Sequence, residues 1–326
     1  MIFTRFAKYA WFVVTFNLGV ILWGAYVRAT GSGAGCGSHW PLCNGEVIPR
    51  PDQIETLIEF THRLSSGIAF LLVFGMLVWA WRIYPRGHRV RSAAIFSMVF
   101  MITEALVGAG LVLFELVADN TSSARAFAIS VHLVNTFILL ACISLTAWWA
   151  SGGKPVQIRW GKVDVWLLLV GLLGVLILGM SGALTALGDT LFPVNSLEEG
   201  IRQDFSAAAH FLVRLRILHP TIAVIVAVYL IFVINWINSR VKRCLSRQIS
   251  WMLITLFVMQ LLAGAVNVLL LAPVWMQMVH LLLSDLVWIS LVLFSAEVMA
   301  KRDAQRSPEN ATDSTNSTNS TKLNEA

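Results

Sequence analysis

The sequence predicts an all-α integral membrane protein, with eight transmembrane helices arranged as two pseudo-symmetric four-helix bundles. Three observations lead there. Only 13% of the 326 residues are charged and 57% are hydrophobic, whereas a soluble domain carries about a quarter charged residues. The apolar residues gather in runs of roughly 20, the length a helix needs to cross about 30 Å of hydrocarbon. The first four runs and the last four repeat the same glycine, histidine and acid/amide positions.

In chain order the runs cover 10–29, 60–80, 93–114, 127–148, 163–183, 211–235, 250–271 and 275–297. Backbone groups in lipid must be satisfied within the segment, so each run is expected to be helical. The first is too long for the apolar core of a signal peptide, and seven more follow, so it counts as helix 1. The expected units are 1–150, 151–300 and a Ser/Thr/Asn-rich disordered tail over 301–326.

An even number of spans puts both termini on one side, and that side holds 17 of the 24 Lys and Arg residues. Basic loops stay in the cytoplasm, so both termini are expected on the cytoplasmic face of a bacterial cell (inner) membrane. The net charge of +6 is this topology signal rather than a nucleic-acid footprint. Arg28, Arg50, Arg63, Arg125, Arg202, Arg214 and Arg216 fall on the outer side.

The repeat has specific matches. Gly19-Val20, Gly24, Thr30 and Gly33 correspond to Gly174-Val175, Gly179, Thr185 and Gly188, each 155 residues on. Glu104 and Gly108-Ala109 correspond to Gln260 and Gly264-Ala265 at an offset of 156. His62 pairs with His219, and His132 with His280. Small residues at such places allow helices to approach closely. Four helices per half give the two repeats one orientation in the membrane.

A histidine inside a membrane helix is costly without a partner. Four in register call for one explanation, and ligation of haem iron supplies it: two facing helices offer two imidazoles to one flat macrocycle. A hydrogen bond to a neighbouring helix is the simpler reading for any one of them alone. Propionates of such haems would reach the outer interface, where Arg28, Arg63, Arg214 and Arg216 are expected. His39, His88 and His210 fall outside the symmetry.

Glu59 precedes His62 by three residues, a helical spacing that sets a carboxylate beside an imidazole. A carboxyl near lipid is suited to proton exchange; pairing with Arg63 is the structural alternative. Its counterpart in the second half is Arg216. This asymmetry suggests that one half holds a reacting substrate and the other a resident cofactor. Glu104, in mid-helix, reads either as a proton relay or as a satisfied packing group. Cys36 and Cys43 in the first outer loop are suited to a small disulfide ring, to thiol exchange with a partner, or to part of a zinc site. Cys142 and Cys244 are expected to be free thiols.

Three stretches carry a resemblance. Arg28-Ala29-Thr30-Gly31-Ser32-Gly33, the loop Cys36…Trp40-Pro41-Leu42-Cys43-Asn44-Gly45, and Glu59-Phe60-Thr61-His62-Arg63 resemble the haem A synthase family, over about residues 8–300. The resemblance implies two four-helix halves and a role in haem A biosynthesis and cytochrome oxidase assembly. It implies oxidation of the C8 methyl of haem O to a formyl group by successive hydroxylations, with haem b as cofactor. His62 and His132 would hold the substrate haem, with Arg63 and Arg28 beside it, and His219 and His280 would ligate haem b. Glu59 would be the catalytic acid and Cys36 with Cys43 the first-loop cysteine pair. The chain departs from the family pattern in having His39 where Asp is expected and Pro220 after His219. It also lacks a second cysteine pair in the third outer loop.

Other functional classes fit the same residues less well. A di-haem cytochrome exchanging electrons with quinone would use the four histidines but not Glu59 or the cysteine loop. A transporter would show broken helices at matching positions. A haem-farnesylating enzyme would need an Asp pair at D-x3-D spacing, which the chain lacks. Expected partners are haem O and membrane lipid. A haem O synthase, electron-transfer proteins and a second copy of the chain are further candidates, and nucleic acid is excluded.

Overall fold

The computed structural model describes residues 4–50, 53–158, 160–240 and 244–300. The tail 301–326 lies outside the described residues, as do Arg159, Lys242 and Arg243 from the charge count.

Among the described residues the protein is built from helices, eight of them long and apolar enough to cross a membrane. In order they are α1 (Arg5–Ala29), α2 (Ile54–Ile83), α3 (Arg89–Leu113), α4 (Ser123–Ala150) and α5 (Val163–Leu191). Then come two short helices, α6 (Leu197–Asp204) and α7 (Phe211–Arg214), followed by α8 (Leu218–Arg240), α9 (Cys244–Leu269) and α10 (Val274–Val298). The chain is a multi-pass membrane protein.

Side chains start several helices by accepting free N–H groups. Thr4 Oγ1 accepts from Ala7, Ser122 Oγ from Arg125, and Ser196 Oγ from Glu199. His88 Nδ1 accepts from Val90 at the start of α3. The helices overrun the apolar runs because their end turns are polar and capped.

Two departures from the sequence expectation bear on the site. α5 continues to Leu191, eight residues past its expected end at 183. The extension holds because Leu187 packs against Leu212 and Ala126, with Leu184 and Leu191 beside them. The sixth span is interrupted by a 3-10 turn at Leu215–Ile217, just before α8. Pro220 explains it, since its ring crowds the carbonyl four residues back and it donates no N–H.

α1–α4 pack chiefly on one another, as do α5 and α8–α10. The seam between them is formed by α4 and α1 against α5 and α10. Trp288 on α10 closes it: Nε1 donates to the Phe137 carbonyl at 2.6 Å, and the two rings stack at 5.2 Å. α10 is the most buried span, while Leu71, Phe74, Ile225 and Leu262 on other helices lie exposed. Those outward faces suit hydrocarbon.

Candidate functional site

His219 near the start of α8 and His280 on α10 face each other, ring centroids 6.2 Å apart and planes at 88°. Pro220 and the preceding turn bring the His219 ring to this position. Two imidazoles bound to opposite faces of one iron, at about 2 Å per metal–nitrogen bond, would have ring centres about 6 Å apart. The pair therefore fits a bis-histidine haem. The polar neighbours of the two rings differ. His219 Nδ1 lies 3.0 Å from Ser181 Oγ on α5, and His280 Nε2 lies 3.3 Å from Gln260 Nε2 on α9.

His62 on α2 and His132 on α4 form the other couple, near enough to interact electrostatically. The Nδ1 atoms of His62, His132 and His280 are buried without a hydrogen-bond partner. Buried polar atoms in native proteins are rarely left so, and a bound group is one explanation. His132 Nδ1 is 3.5 Å from Glu104 Oε1 on α3. Thr136 Oγ1 donates to that oxygen, and Asn135 Nδ2 donates to Glu104 Oε2 at 2.5 Å.

Each of the four imidazoles also lies over a glycine of the preceding long helix. A Cβ on Gly24 would meet His62 Cε1 at 2.8 Å, one on Gly182 would meet His219 Cε1 at 2.9 Å, and one on Gly264 would meet His280 Cε1 at 3.0 Å. Gly108 stands further off, at 3.8 Å from His132 Cε1. Sequence reasoning found these small residues but not what they make room for. It also matched Gly24 to Gly179, whereas Gly182 is the glycine under His219 and Gly179 faces Phe137 and Leu133.

The first loop is tied to α2 through Glu59, which is 3% exposed. Its Oε2 accepts the Cys36 N–H at 2.8 Å. Its Oε1 accepts from Arg63 Nε at 3.1 Å and Nη2 at 2.5 Å. Arg63 Nη1 reaches on to the carbonyls of His39 and Leu42 at 2.6 and 2.7 Å. Cys36 and Cys43 are joined Sγ to Sγ in this loop. Among the described residues no group of three or more His, Cys, Asp or Glu gathers to hold a metal ion, so the zinc alternative finds no further ligands. Cys142 is a free thiol.

The basic residues are distributed unequally. Arg28 at the end of α1 reaches across the seam, donating to Thr190 Oγ1 on α5 at 3.2 Å and to Gln277 Oε1 on α10 at 3.1 Å. Arg216 is buried: its Nε lies 3.0 Å from Asp189 Oδ1, and its Nη2 donates to the carbonyls of Gly188 and Phe192. Its Nη1 is 3.8 Å from Asp204 Oδ1. Burial pushes the Asp204 carboxyl above the usual carboxylate range, against the opposing pull of Arg216. Arg214 is exposed. Asp189 and Asp204 escaped the sequence reading because the first had been placed in a loop. His210 accepts from the Leu212 N–H and stacks on Phe192, and His88 serves as a helix cap.

Comparison with known proteins agrees with this architecture. The model of the COX15-CtaA cytochrome oxidase assembly proteins matches residues 7–292. The chain is 55% identical over 304 residues to a protein of Thermus thermophilus named protoheme IX farnesyltransferase, covering 93% of this chain and 50% of that one. It is 40% identical over 140 residues to a heme A synthase of Bacillus mycoides, covering 43% of this chain and 44% of the other. A heme A synthase of Bacillus cereus is 39% identical over 140 residues. The chain spans about half the length of the curated relatives it matches. With eight spanning helices and a family match running through nearly all of them, this chain belongs to the COX15-CtaA family of cytochrome oxidase assembly proteins.

Proposed function

We propose that the chain is a haem A synthase, an oxidoreductase that converts the C8 methyl of haem O to a formyl group. In this reading residues 1–150 form the substrate half and residues 151–300 hold a resident haem b. The observation that carries it is the pairing of His219 and His280, ring centroids 6.2 Å apart with perpendicular planes, beside a second histidine couple that has an acid and a loop of its own. Support for a duplicated unit comes from the glycine under each imidazole.

Methyl to formyl is a four-electron oxidation, so the substrate site needs an outlet for electrons and for protons. The resident haem, when bound, supplies a one-electron couple close to that site. His219 and His280 hold it, and the Ser181 hydroxyl at His219 Nδ1 leaves Nε2 as the nitrogen for iron. His62 and His132 hold the substrate. Glu59 takes a proton at its carboxylate, or stabilises positive charge, as the methyl is oxidised. Arg28 and Arg63 meet the substrate's propionates, and Arg216 and Arg214 those of the resident haem.

The farnesyl-transfer name belongs to proteins about twice this length, and this chain has no D-x3-D acid pair. We therefore assign prenyl transfer to the portion of those proteins that this chain does not match. A haem O synthase is the natural supplier of substrate. The positive-inside distribution supports a bacterial inner membrane location, both termini cytoplasmic and both haem sites towards the outer face.

Purification of the full-length protein from cells that also make haem O, followed by extraction and chromatography of its pigments, tests the proposal. Haem b together with haem O or haem A is expected. A colourless preparation, or haem b alone with no haem A formed in the cells, overturns it.

A further inference from the structure

Three of the four imidazoles have a polar side chain near one ring nitrogen, and the three are chemically different. His219 has the Ser181 hydroxyl, His280 the Gln260 amide, and His132 the Glu104 carboxylate. Glu104 and Gln260 occupy equivalent places, each one turn before the glycine that underlies the histidine of the next helix. The halves thus differ in both the group and the ring nitrogen: Glu104 lies at Nδ1 of His132, whereas Gln260 lies at Nε2 of His280.

The carboxylate is held in place. Thr136 and Asn135 each donate to one of its oxygens, and Thr103 Oγ1 donates to Asn135 Oδ1 at 2.6 Å. Asn135 Nδ2 also donates to the Phe100 carbonyl at 2.9 Å. The positions matching Asn135 and Thr136 by the histidine offset are Leu283 and Ser284. The amide that supports the carboxylate is therefore absent where the carboxylate is absent. A group that merely filled space on α3 would need no such cradle.

We infer that Glu104 is a positioning residue for the substrate-haem ligand: its Oε1 accepts the Nδ1–H of His132, turns Nε2 to the iron, and makes His132 a stronger donor than an imidazole with no carboxylate behind it. This rests on the proposed haem A synthase reading. A carboxylate behind a metal-bound imidazole fixes the tautomer and raises ligand basicity, and an amide does so less. A more basic ligand favours the ferric state, so Glu104 lowers the potential of the iron at His62 and His132. The 3.5 Å separation shortens to a hydrogen bond once Nε2 is ligated, as such contacts commonly tighten on ligand binding.

The test is a spectroscopic redox titration of full-length protein, purified with both haems from cells that make haem O, with EPR of the oxidised form. Glu104→Gln should raise the midpoint of the N-terminal haem and move its low-spin EPR signal, leaving the C-terminal haem in place. Glu104→Asp should restore part of the shift. If Glu104→Gln moves both haems, or neither, the inference fails. If Glu104→Gln does not retain the substrate haem, Glu104→Asp decides: a shifted midpoint and low-spin EPR signal of the N-terminal haem uphold the inference, and unchanged ones overturn it. Wild-type protein lacking the C-terminal haem would overturn the proposed function instead, so the two failures are distinguishable.

Discussion

Glu59 Oε2 accepts the backbone N–H of Cys36 at 2.8 Å, so the acid of α2 and the cysteine loop are one structural unit. Arg63 completes it by gripping the other oxygen of Glu59 and two loop carbonyls. The loop thus rests on the turn of α2 that carries His62. Any movement of the loop is felt by the carboxylate, and loss of the carboxylate frees the loop.

Replacing Glu59 should therefore have two effects. Glu59→Ala should stop haem A formation in cells while leaving the C-terminal haem bound, as read by extraction and chromatography. It should also speed proteolytic cleavage in residues 36–50. Breaking a buried ion pair by removing one partner costs about 3–5 kcal/mol, here paid locally in the loop. Glu59→Gln keeps an acceptor for Cys36 and should protect the loop without restoring activity. Normal haem A yield in either variant would remove Glu59 from the mechanism.

The four histidines should separate by variant. His219→Ala or His280→Ala should lower the Soret band of the purified protein, because each removes one of two facing ligands. His62→Ala should spare haem b and lower only the substrate haem content, as read by pigment extraction and chromatography. Equal loss of haem b in all three would contradict the assignment of the resident site to the C-terminal half.

Much of this was legible in the sequence, for reasons that particular residues make clear. Apolar runs reveal spanning helices because the hydrocarbon thickness fixes their length. The end of α5 was not legible: Gly188 and Asp189 look like loop composition, but Gly188 lies against the Leu212 carbonyl and Leu187 packs on Leu212, so the helix runs on. The spacing of Glu59 and His62 suggested an acid beside an imidazole. Both oxygens of Glu59 instead bind Cys36 and Arg63, and a carboxylate beside an imidazole comes from Glu104 on a different helix. No local spacing rule can find a pair 28 residues apart across two helices.

Arg216 should behave as a structural residue as well as a candidate propionate contact. It is buried and tied to Asp189 and to the carbonyls of Gly188 and Phe192. Arg216→Ala should lower thermal stability by about 1–3 kcal/mol, since it leaves the carbonyls of Gly188 and Phe192 without their donor and the half-buried Asp189 without its ion-pair partner. Arg214→Ala, at an exposed position, should change stability by less than about 0.5 kcal/mol. Thermal unfolding of the detergent-solubilised protein, followed by circular dichroism, checks both; similar losses would contradict the burial argument.

The glycines beneath the imidazoles give the sharpest steric prediction. In Gly182→Ala the new methyl would stand 2.9 Å from His219 Cε1, closer than carbon atoms normally approach. The ring must turn or α5 must back away, and overpacking of this kind costs about 1–3 kcal/mol. Either movement spoils the facing geometry with His280, so a reduced Soret band or an altered low-spin EPR signal is expected. Gly19→Ala is the control, because nothing lies within 4 Å of a Cβ there. It should leave the spectrum unchanged and stabilise α1 by about 0.5–1 kcal/mol, as Ala is the better helix former. Haem spectra of the two purified variants decide the matter, and an unaltered spectrum in Gly182→Ala would show that the His219 ring is not held by this contact.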